Sequence, residues 1–210
     1  MHKNDIVTAG LDLKDAKKVL IMIHGRGGSS EDVLGLAGHL KVKDFALLAP
    51  RATGNSWYPY SFLAPRSQNE PGLSSALDLI KQLVAKLTAS FSSEKIYFLG
   101  FSQGACLMLD FIARNPARYG GAVAFSGGMI GDAIDSADYA GDLEGTPVFI
   151  GSSDPDSHIP VERVRKSTMI LKQLKANVTE RIYPGLGHTI SQDEINLANS
   201  LVFEPAETVR

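Results

Sequence analysis

The feature that most constrains this chain is the segment 95–105, where a predicted strand runs directly into a predicted helix. The run Ile96–Leu99 is apolar and rich in strand-forming residues. Residues Gln103–Arg114 contain no proline and carry apolar side chains at the spacing of one helix face, and Asn115-Pro116 then ends the helix. The turn between them, Gly100-Phe101-Ser102-Gln103-Gly104, matches the pattern G-x-S-x-G. Strand, turn and helix together predict a nucleophile elbow.

The physics of such a turn explains its two glycines. A strand that enters a helix this abruptly strains the middle residue, and side chains two positions to either side would collide with the neighbouring strand and helix. Only small residues fit at Gly100 and Gly104. The turn is expected to hold the Ser102 hydroxyl clear of the sheet at the positive end of the helix, where a base can reach it.

Length and composition limit the function classes. The 210 residues suit one domain spanning 1–210, with 44% hydrophobic and 21% charged residues. A net charge of −2 does not indicate the excess of basic residues that binding to nucleic acid or to an anionic membrane would require. The single cysteine, Cys106, cannot form an intramolecular disulfide, and no apolar run has the length of a signal peptide or a bilayer span. We therefore expect a cytoplasmic protein without stable membrane insertion.

Hydrophobic periodicity predicts strands that alternate with helices over the whole length. This alternation is typical of an α/β fold with a doubly wound, mostly parallel sheet flanked by helices. The run 51–71 holds no convincing element. The expected strands lie at 6–13, 19–23, 45–49, 96–99, 122–125, 147–151 and 179–183, and the expected helices at 33–40, 73–87, 103–114, 160–175 and 194–202.

A glycine-rich turn follows the second expected strand and invites a dinucleotide-binding interpretation. The spacing argues against it, because Gly25-Arg26-Gly27-Gly28-Ser29-Ser30 has serine where the third glycine of G-x-G-x-x-G belongs. The strand at 45–49 also ends without the acidic residue that would bind a ribose. We therefore do not predict a nucleotide site.

Serine is a poor nucleophile at neutral pH and needs a base, which in turn needs an orienting carboxylate. His188 directly follows the last expected strand, in a loop of small residues. Two carboxylates, Asp154 and Asp156, follow the strand at 147–151. Counting from the strand end favours Asp154, whereas counting back from Ile159-Pro160, where a helix begins, favours Asp156. The residues alone leave this choice open.

Several of these motifs together resemble the phospholipase/carboxylesterase family of small α/β-hydrolases, whose relatives include the acyl-protein thioesterases. His24-Gly25-Arg26-Gly27 resembles the family's H-G-x-G turn, residues 100–104 its G-F-S-Q-G elbow, and Gly187-His188 its late G-H. The segment 156–160 keeps the interval of the family's D-P-x-V-P acid motif, with Ser157 where proline is usual. The resemblance implies an α/β-hydrolase fold and a catalytic triad of Ser102, Asp156 and His188.

An oxyanion hole and an acyl pocket complete the predicted site. The residue after the nucleophile, Gln103, is expected to supply one oxyanion N–H, and the resemblance implies Arg26 for the other. An aromatic cluster falls in the long loop 51–71. Loops of this length are often binding loops, so these side chains are expected to line the acyl pocket. The alternative is that these aromatic side chains seal the loop onto the core. The substrate-binding residues predicted on the first interpretation are Trp57, Tyr58 and Phe62, with Met129 on the opposite wall.

The expected function is that of a serine carboxylesterase acting through an acyl-enzyme on short to medium acyl esters, with thioesters and lysophospholipids as further candidates. The alternatives are a dienelactone-hydrolase-like or peptidase activity on the same scaffold, or a non-catalytic receptor with this fold. The expected partner is a small-molecule ester. No cofactor and no metal are expected, because no His, Asp or Cys spacing suggests one. The oligomeric state stays open, a homodimer included.

Overall fold

The framework of the molecule is a seven-stranded β-sheet. The computed structural model describes residues 1–204, so positions 205–210 of the predicted domain lie outside the described residues. In chain order the strands are β1 (Ile6–Gly10), β2 (Lys18–Ile23), β3 (Phe45–Pro50), β4 (Ile96–Phe101), β5 (Gly121–Phe125), β6 (Pro147–Asp154) and β7 (Asn177–Pro184). Their spatial order is β1-β3-β2-β4-β5-β6-β7, and β1 alone runs antiparallel to its neighbour. The predicted mostly parallel sheet is confirmed.

Helices cover both faces of this sheet. They are α1 (Ser30–Gly35), α2 (Gly72–Leu87), α3 (Gln103–Arg114), α4 (Val161–Gln173) and α5 (Gln192–Ala198). Side chains alternate along β2, so that Val19, Ile21 and Ile23 join the core under α2, α3 and α4. Leu20 and Met22 join a second core under α1 and α5. The doubly wound arrangement expected from the alternating pattern is therefore present.

Two helices, α1 and α5, begin more than one residue earlier than their apolar pattern predicts, and a capping box accounts for each. Ser29 Oγ accepts the Asp32 N–H at 3.1 Å while Asp32 Oδ2 accepts the Ser29 N–H at 2.8 Å, so α1 starts directly after Ser29. Ser191 and Glu194 make the same reciprocal pair before α5. The S-x-x-D/E pattern was readable in the sequence, whereas apolar spacing misses polar first turns.

Helix α1 ends at Gly35, before the end of the helix predicted at 33–40, because residues 36–39 form a tighter 3₁₀ turn. The loop 51–71 contains short 3₁₀ turns at Thr53–Asn55 and Arg66–Asn69. Strand β6 runs to Asp154 and not to Gly151 as predicted, because it pairs with β7 over its full length.

The carboxyl ends of the parallel strands meet at one edge of the sheet, where ligands bind in open α/β sheets. The turn that starts at His24 follows β2, and Ser102 follows β4. Asp156 follows β6 and His188 follows β7. Strand topology thus gathers residues that are as much as 164 positions apart, the interval from 24 to 188, at this edge.

Candidate active site

The backbone of Ser102 is strained, with φ of 52° and ψ of −120°, a region that favours glycine. A hydrogen bond from its N–H to the Phe125 carbonyl, at 2.9 Å, holds it there. A Cβ on Gly104 would lie 2.1 Å from the Ile23 carbonyl oxygen, and one on Gly100 would lie 2.6 Å from the Gly104 carbonyl. Both positions therefore require glycine, and the serine stands at the amino end of α3.

Three predicted side chains form a continuous hydrogen-bonded chain. His188 Nε2 lies 2.8 Å from Ser102 Oγ. The other ring nitrogen, Nδ1, lies 2.9 Å and 3.1 Å from the two carboxylate oxygens of Asp156. Since a carboxylate only accepts, Nδ1 carries the proton and Nε2 is free to accept one from the serine hydroxyl.

The Asp156 carboxylate is fully buried and stays ionised because of its hydrogen bonds. Its Oδ1 accepts the backbone N–H groups of His158 at 2.8 Å and Ile159 at 3.1 Å. Burial favours the protonated carboxyl, but the hydrogen bonds from His188 and from these two N–H groups outweigh it and lower the pKa of Asp156. A negative charge is therefore fixed beside the imidazole.

The alternative carboxylate, Asp154, does not reach the histidine. It is the last residue of β6, exposed, and its Cα pairs with Pro184 of β7. The extension of β6 beyond Gly151 moves the start of the loop that carries Asp156, the acid loop (residues 155–160), towards α4. Because of this extension, it is Asp156 and not Asp154 that contacts His188.

Other contacts fix the plane of the His188 ring and the loop that carries it. Phe101 lies on the ring at a centroid distance of 5.2 Å, and His158 meets it edge to face at 4.7 Å. Ser153 Oγ accepts the N–H of Gly187 at 2.9 Å. The same hydroxyl lies 3.1 Å from the Pro155 carbonyl, so it also ties down the acid loop. Ser153 is absent from the site residues expected from the sequence, because no local motif marks it.

The two predicted oxyanion donors border Ser102. Arg26 and Gln103 line the same cleft as Ser102 and His188. Within residues 1–204, neither backbone N–H donates to a protein acceptor. Gln103 is the first residue of α3, where an N–H has no partner inside the helix. Both N–H groups are thus available to an oxygen bound beside Ser102.

The side chains of Arg26 and Gln103 have a separate task, which the sequence did not reveal. Both hold the segment 56–60 against the elbow. The Arg26 guanidinium donates to Ser56 Oγ at 2.9 Å, the Pro59 carbonyl at 2.9 Å and the Tyr60 carbonyl at 2.6 Å. The Gln103 amide accepts the Trp57 N–H at 2.9 Å and donates to the Tyr58 carbonyl at 2.8 Å.

His24, the first residue of the H-G-x-G motif, is a buried structural residue. Its Nδ1 donates to the Gly25 carbonyl at 2.7 Å, and its Nε2 accepts the Ala52 N–H at 3.2 Å. The ring packs on Trp57 with centroids 5.0 Å apart. Burial lowers the pKa of His24, so the neutral ring is the form that the fold selects.

The site opens into a cleft of about 570 Å³. Tyr58 and Phe62, two of the residues expected to bind substrate, line this cleft together with Tyr60 and Ile159. The cleft is bordered by these side chains and by Gly25, Arg26, Pro59, Ser61, Phe101, Ser102, Gln103, Cys106, His158 and His188.

Two predicted pocket residues lie in the core and not in the cleft wall, which corrects the expectation for them. Trp57 is fully buried, and its indole N–H donates to the His24 carbonyl at 2.8 Å, so burial leaves no polar group of this side chain unpaired. Met129 is also fully buried, and its backbone N–H donates to Ser167 Oγ of α4 at 2.9 Å. The alternative that aromatic residues seal the loop onto the core therefore holds for Trp57.

The described part of the chain offers no cluster of His, Cys, Asp or Glu side chains that could hold a metal ion. None of its helices combines the length and the apolar character needed to cross a bilayer.

Comparison with known proteins gives consistent matches. The family model described as Phospholipase/Carboxylesterase matches residues 11–202. Acyl-protein thioesterase 1 of Eremothecium gossypii is 30% identical over 201 residues, 84% of this chain and 83% of the relative. A probable carboxylesterase SOBER1-like of Arabidopsis thaliana is 25% identical over 95% of this chain and 84% of its own length. The crystal structure of a phospholipase/carboxylesterase from Dyadobacter fermentans superposes with a TM-score of 0.95 at 48% identity, covering 97% of this chain and 98% of that one.

Proposed function

The chain belongs to the phospholipase/carboxylesterase family of α/β-hydrolases, and we propose that it is a serine esterase acting on short to medium acyl esters or thioesters. The family supports a hydrolase with esterase or thioesterase activity. The observation that carries the finer proposal is the chain of hydrogen bonds from Asp156 through His188 to Ser102, which ends at the floor of an open cleft.

In the proposed acylation step, Ser102 Oγ attacks the ester carbonyl carbon while His188 Nε2 takes the hydroxyl proton. The Asp156 carboxylate stabilises the imidazolium that forms. The carbonyl oxygen becomes an oxyanion, which accepts the N–H groups of Arg26 and Gln103; a single such donor is worth about 10²–10³ in rate. The intermediate collapses when His188 returns the proton to the leaving oxygen or sulfur, which releases the alcohol or thiol and leaves an acyl-Ser102.

Deacylation repeats the same proton transfers with water. A water molecule gives a proton to His188 Nε2 and attacks the acyl carbon, and the second oxyanion uses the same two N–H groups. Its collapse breaks the bond to Ser102 Oγ, which takes the proton back from His188. The free acid leaves, and the hydrogen-bonded chain is restored.

Hydrolysis of 4-nitrophenyl butyrate, followed from the first milliseconds, tests this proposal. We expect a burst of 4-nitrophenol close to one equivalent of protein if deacylation is slower than acylation, and steady turnover afterwards. S-ethyl thiobutyrate, a neutral thioester, provides the thioester arm. Absence of turnover above buffer for both substrates, by protein shown to be folded, would contradict the proposed function and favour a non-catalytic receptor.

A further inference from the structure

Among the described residues, basic side chains line the cleft and acidic side chains do not. Arg26, His158 and His188 line it, and no Asp or Glu side chain of residues 1–204 does so. This contrasts with the chain as a whole, which has a net charge of −2. The groups that face a bound ligand are therefore neutral or able to carry positive charge.

The charge of Arg26 is not neutralised by an ion pair in the described part of the chain. Its three hydrogen-bond acceptors are a hydroxyl and two carbonyl oxygens, all uncharged. No carboxylate of residues 1–204 lies within 4.0 Å of its guanidinium. The residue is exposed and has five N–H donors, so donors remain for a ligand.

Asp32 and Asp156, two carboxylates close in the sequence to Arg26 and His158, are both engaged by other groups. Asp32 borders an adjoining pocket of about 230 Å³, which Arg26 also lines, and its Oδ2 accepts the Ser29 N–H at 2.8 Å. The carboxylate of Asp156 is fully buried behind His188, which it contacts through Nδ1. Neither carboxylate lines the main cleft.

His158 adds a second group on a different wall of the cleft. Its backbone N–H is fixed by Asp156 Oδ1, its ring rests edge to face on His188 at a centroid distance of 4.7 Å, and the residue is exposed. Arg26, in contrast, belongs to the wall built by the segment 56–60. An anion in the cleft can thus meet donors from two walls.

We infer that the preferred substrate is an ester that carries an anionic group, a carboxylate or a phosphate, bound beside Arg26 and His158 while the ester carbonyl lies at Ser102. This inference rests on the proposed function. The cleft also presents Phe62, Phe101 and Ile159, so the substrate has an apolar segment between the two polar ends. A charged ligand gains from such a site because charge-assisted hydrogen bonds to guanidinium are stronger than neutral ones.

Matched pairs of esters test the inference. On the alcohol side, 4-carboxyphenyl acetate is compared with 4-carbamoylphenyl acetate, its neutral counterpart, and with the corresponding aryl phosphate. On the acyl side, monomethyl adipate is compared with methyl 5-carbamoylpentanoate. The carbamoyl group is the more electron-withdrawing substituent, so leaving-group chemistry alone favours the neutral aryl ester. In at least one arm we expect kcat/KM to be about tenfold or more higher for the anionic ester, and the ratio to fall between about 20 mM and 500 mM NaCl through screening.

Variants identify the groups responsible. Arg26→Gln and His158→Gln are expected to lower the anionic-to-neutral ratio, whereas Arg26→Lys, which keeps the charge, retains most of it. Lys86→Gln makes the same charge change in the last turn of α2, beside another cavity, and is expected to leave the ratio unchanged. Comparison of ratios removes any effect that a variant has on turnover of both esters.

Equal or better turnover of the neutral ester in both arms would overturn the inference, as would an equal fall of the ratio in Lys86→Gln. A preference for the aryl phosphate over the carboxylate would support it and identify the anion as phosphate. Failure of the folded protein to hydrolyse any ester would instead contradict the proposed function.

Discussion

The hydroxyl oxygen of Ser153 lies 2.9 Å from the backbone nitrogen of Gly187, and this hydrogen bond joins the end of β6 to the loop that carries His188. Ser153 is almost completely buried, and its hydroxyl also lies 3.2 Å from the Tyr183 carbonyl. One side chain therefore sets the distance between the acid loop and the histidine loop.

Replacement of this serine should weaken both stability and turnover. Ser153→Ala leaves the Gly187 N–H without its acceptor, which we expect to lower the free energy of unfolding by about 1–3 kcal/mol. A less well oriented His188 should lower kcat about tenfold, the equivalent of about 1.4 kcal/mol. Urea denaturation and ester kinetics measure the two effects.

The neighbouring Ser152 provides the matched control. It is equally buried, but within residues 1–204 its hydroxyl has no hydrogen-bond partner. Ser152→Ala should therefore be neutral or stabilising, with unchanged kcat. A loss of kcat in Ser152→Ala equal to that in Ser153→Ala would contradict a specific role for the Ser153–Gly187 bond.

Replacing a carboxylate with an amide distinguishes the two candidate acids, Asp154 and Asp156. Asp156→Asn should lower kcat by about 10⁴, the effect known for this change in an unrelated triad protease, because an amide cannot hold the Nδ1–H tautomer of His188. Asp154→Asn changes an exposed side chain at the end of β6 and should leave kcat within a factor of about two. A large loss of kcat in Asp154→Asn would move the orienting role to that residue.

The buried His24 should make stability depend on pH. Its pKa is lowered by burial, so as the pH falls through about 6.5 the unfolded chain takes up a proton that the folded protein does not. The stabilising effect of the neutral ring is complete above that pH and is lost progressively below it. Between pH 7.5 and 5.5 we expect the free energy of unfolding to fall less in His24→Gln than in the wild type.

The control variant also removes one histidine, but from the surface and not from the core. His39 lies on the exposed 3₁₀ turn after α1, and His39→Gln should keep the wild-type pH dependence. Equal slopes in the wild type and in His24→Gln would show that His24 does not contribute to it.

Acyl-chain preference should depend on Phe62 and not on Trp57. Phe62 lines the cleft, so Phe62→Ala should change the ratio of kcat/KM for octanoate and acetate esters about tenfold, consistent with about 1–3 kcal/mol for apolar contacts in a pocket. Trp57→Phe removes the donor to the His24 carbonyl and should lower stability by about 1–3 kcal/mol with the ratio unchanged. An equal change of the ratio in Trp57→Phe would place Trp57 in the binding surface.

The sequence pattern predicts the sheet, the elbow, Ser102 and His188, because these side chains follow the ends of strands, whereas the choice of Asp156 over Asp154 needed the resemblance to the family. Ser102 is marked by its glycines, and His188 by the strand before it. Contacts between distant loops left no such pattern. The Ser153–Gly187 bond joins residues 34 positions apart, and the Arg26–Tyr60 bond also spans 34.

The local sequence pattern also could not predict which aromatic side chains of the loop 51–71 are buried. Trp57 and Tyr60 lie three positions apart in one loop, yet Trp57 is fully buried and Tyr60 is 59% exposed. The difference follows from the hydrogen bonds that Gln103 and Arg26 make to the loop backbone, which fix the side of the chain that faces the core. Composition alone predicted aromatic contacts but could not assign them to cleft or core.

Covalent labelling tests the central claim, that Ser102 is the nucleophile, most directly. A fluorophosphonate should modify the tryptic peptide 96–114, in which Ser102 is the single serine. Ser126 is the matched control, since it follows β5 with a similar positive φ of 51° and lies in the separate tryptic peptide 119–163. We predict a mass increase on peptide 96–114 that is abolished in folded Ser102→Ala and retained in Ser126→Ala; labelling that persists in Ser102→Ala, or that falls on peptide 119–163, would contradict the account.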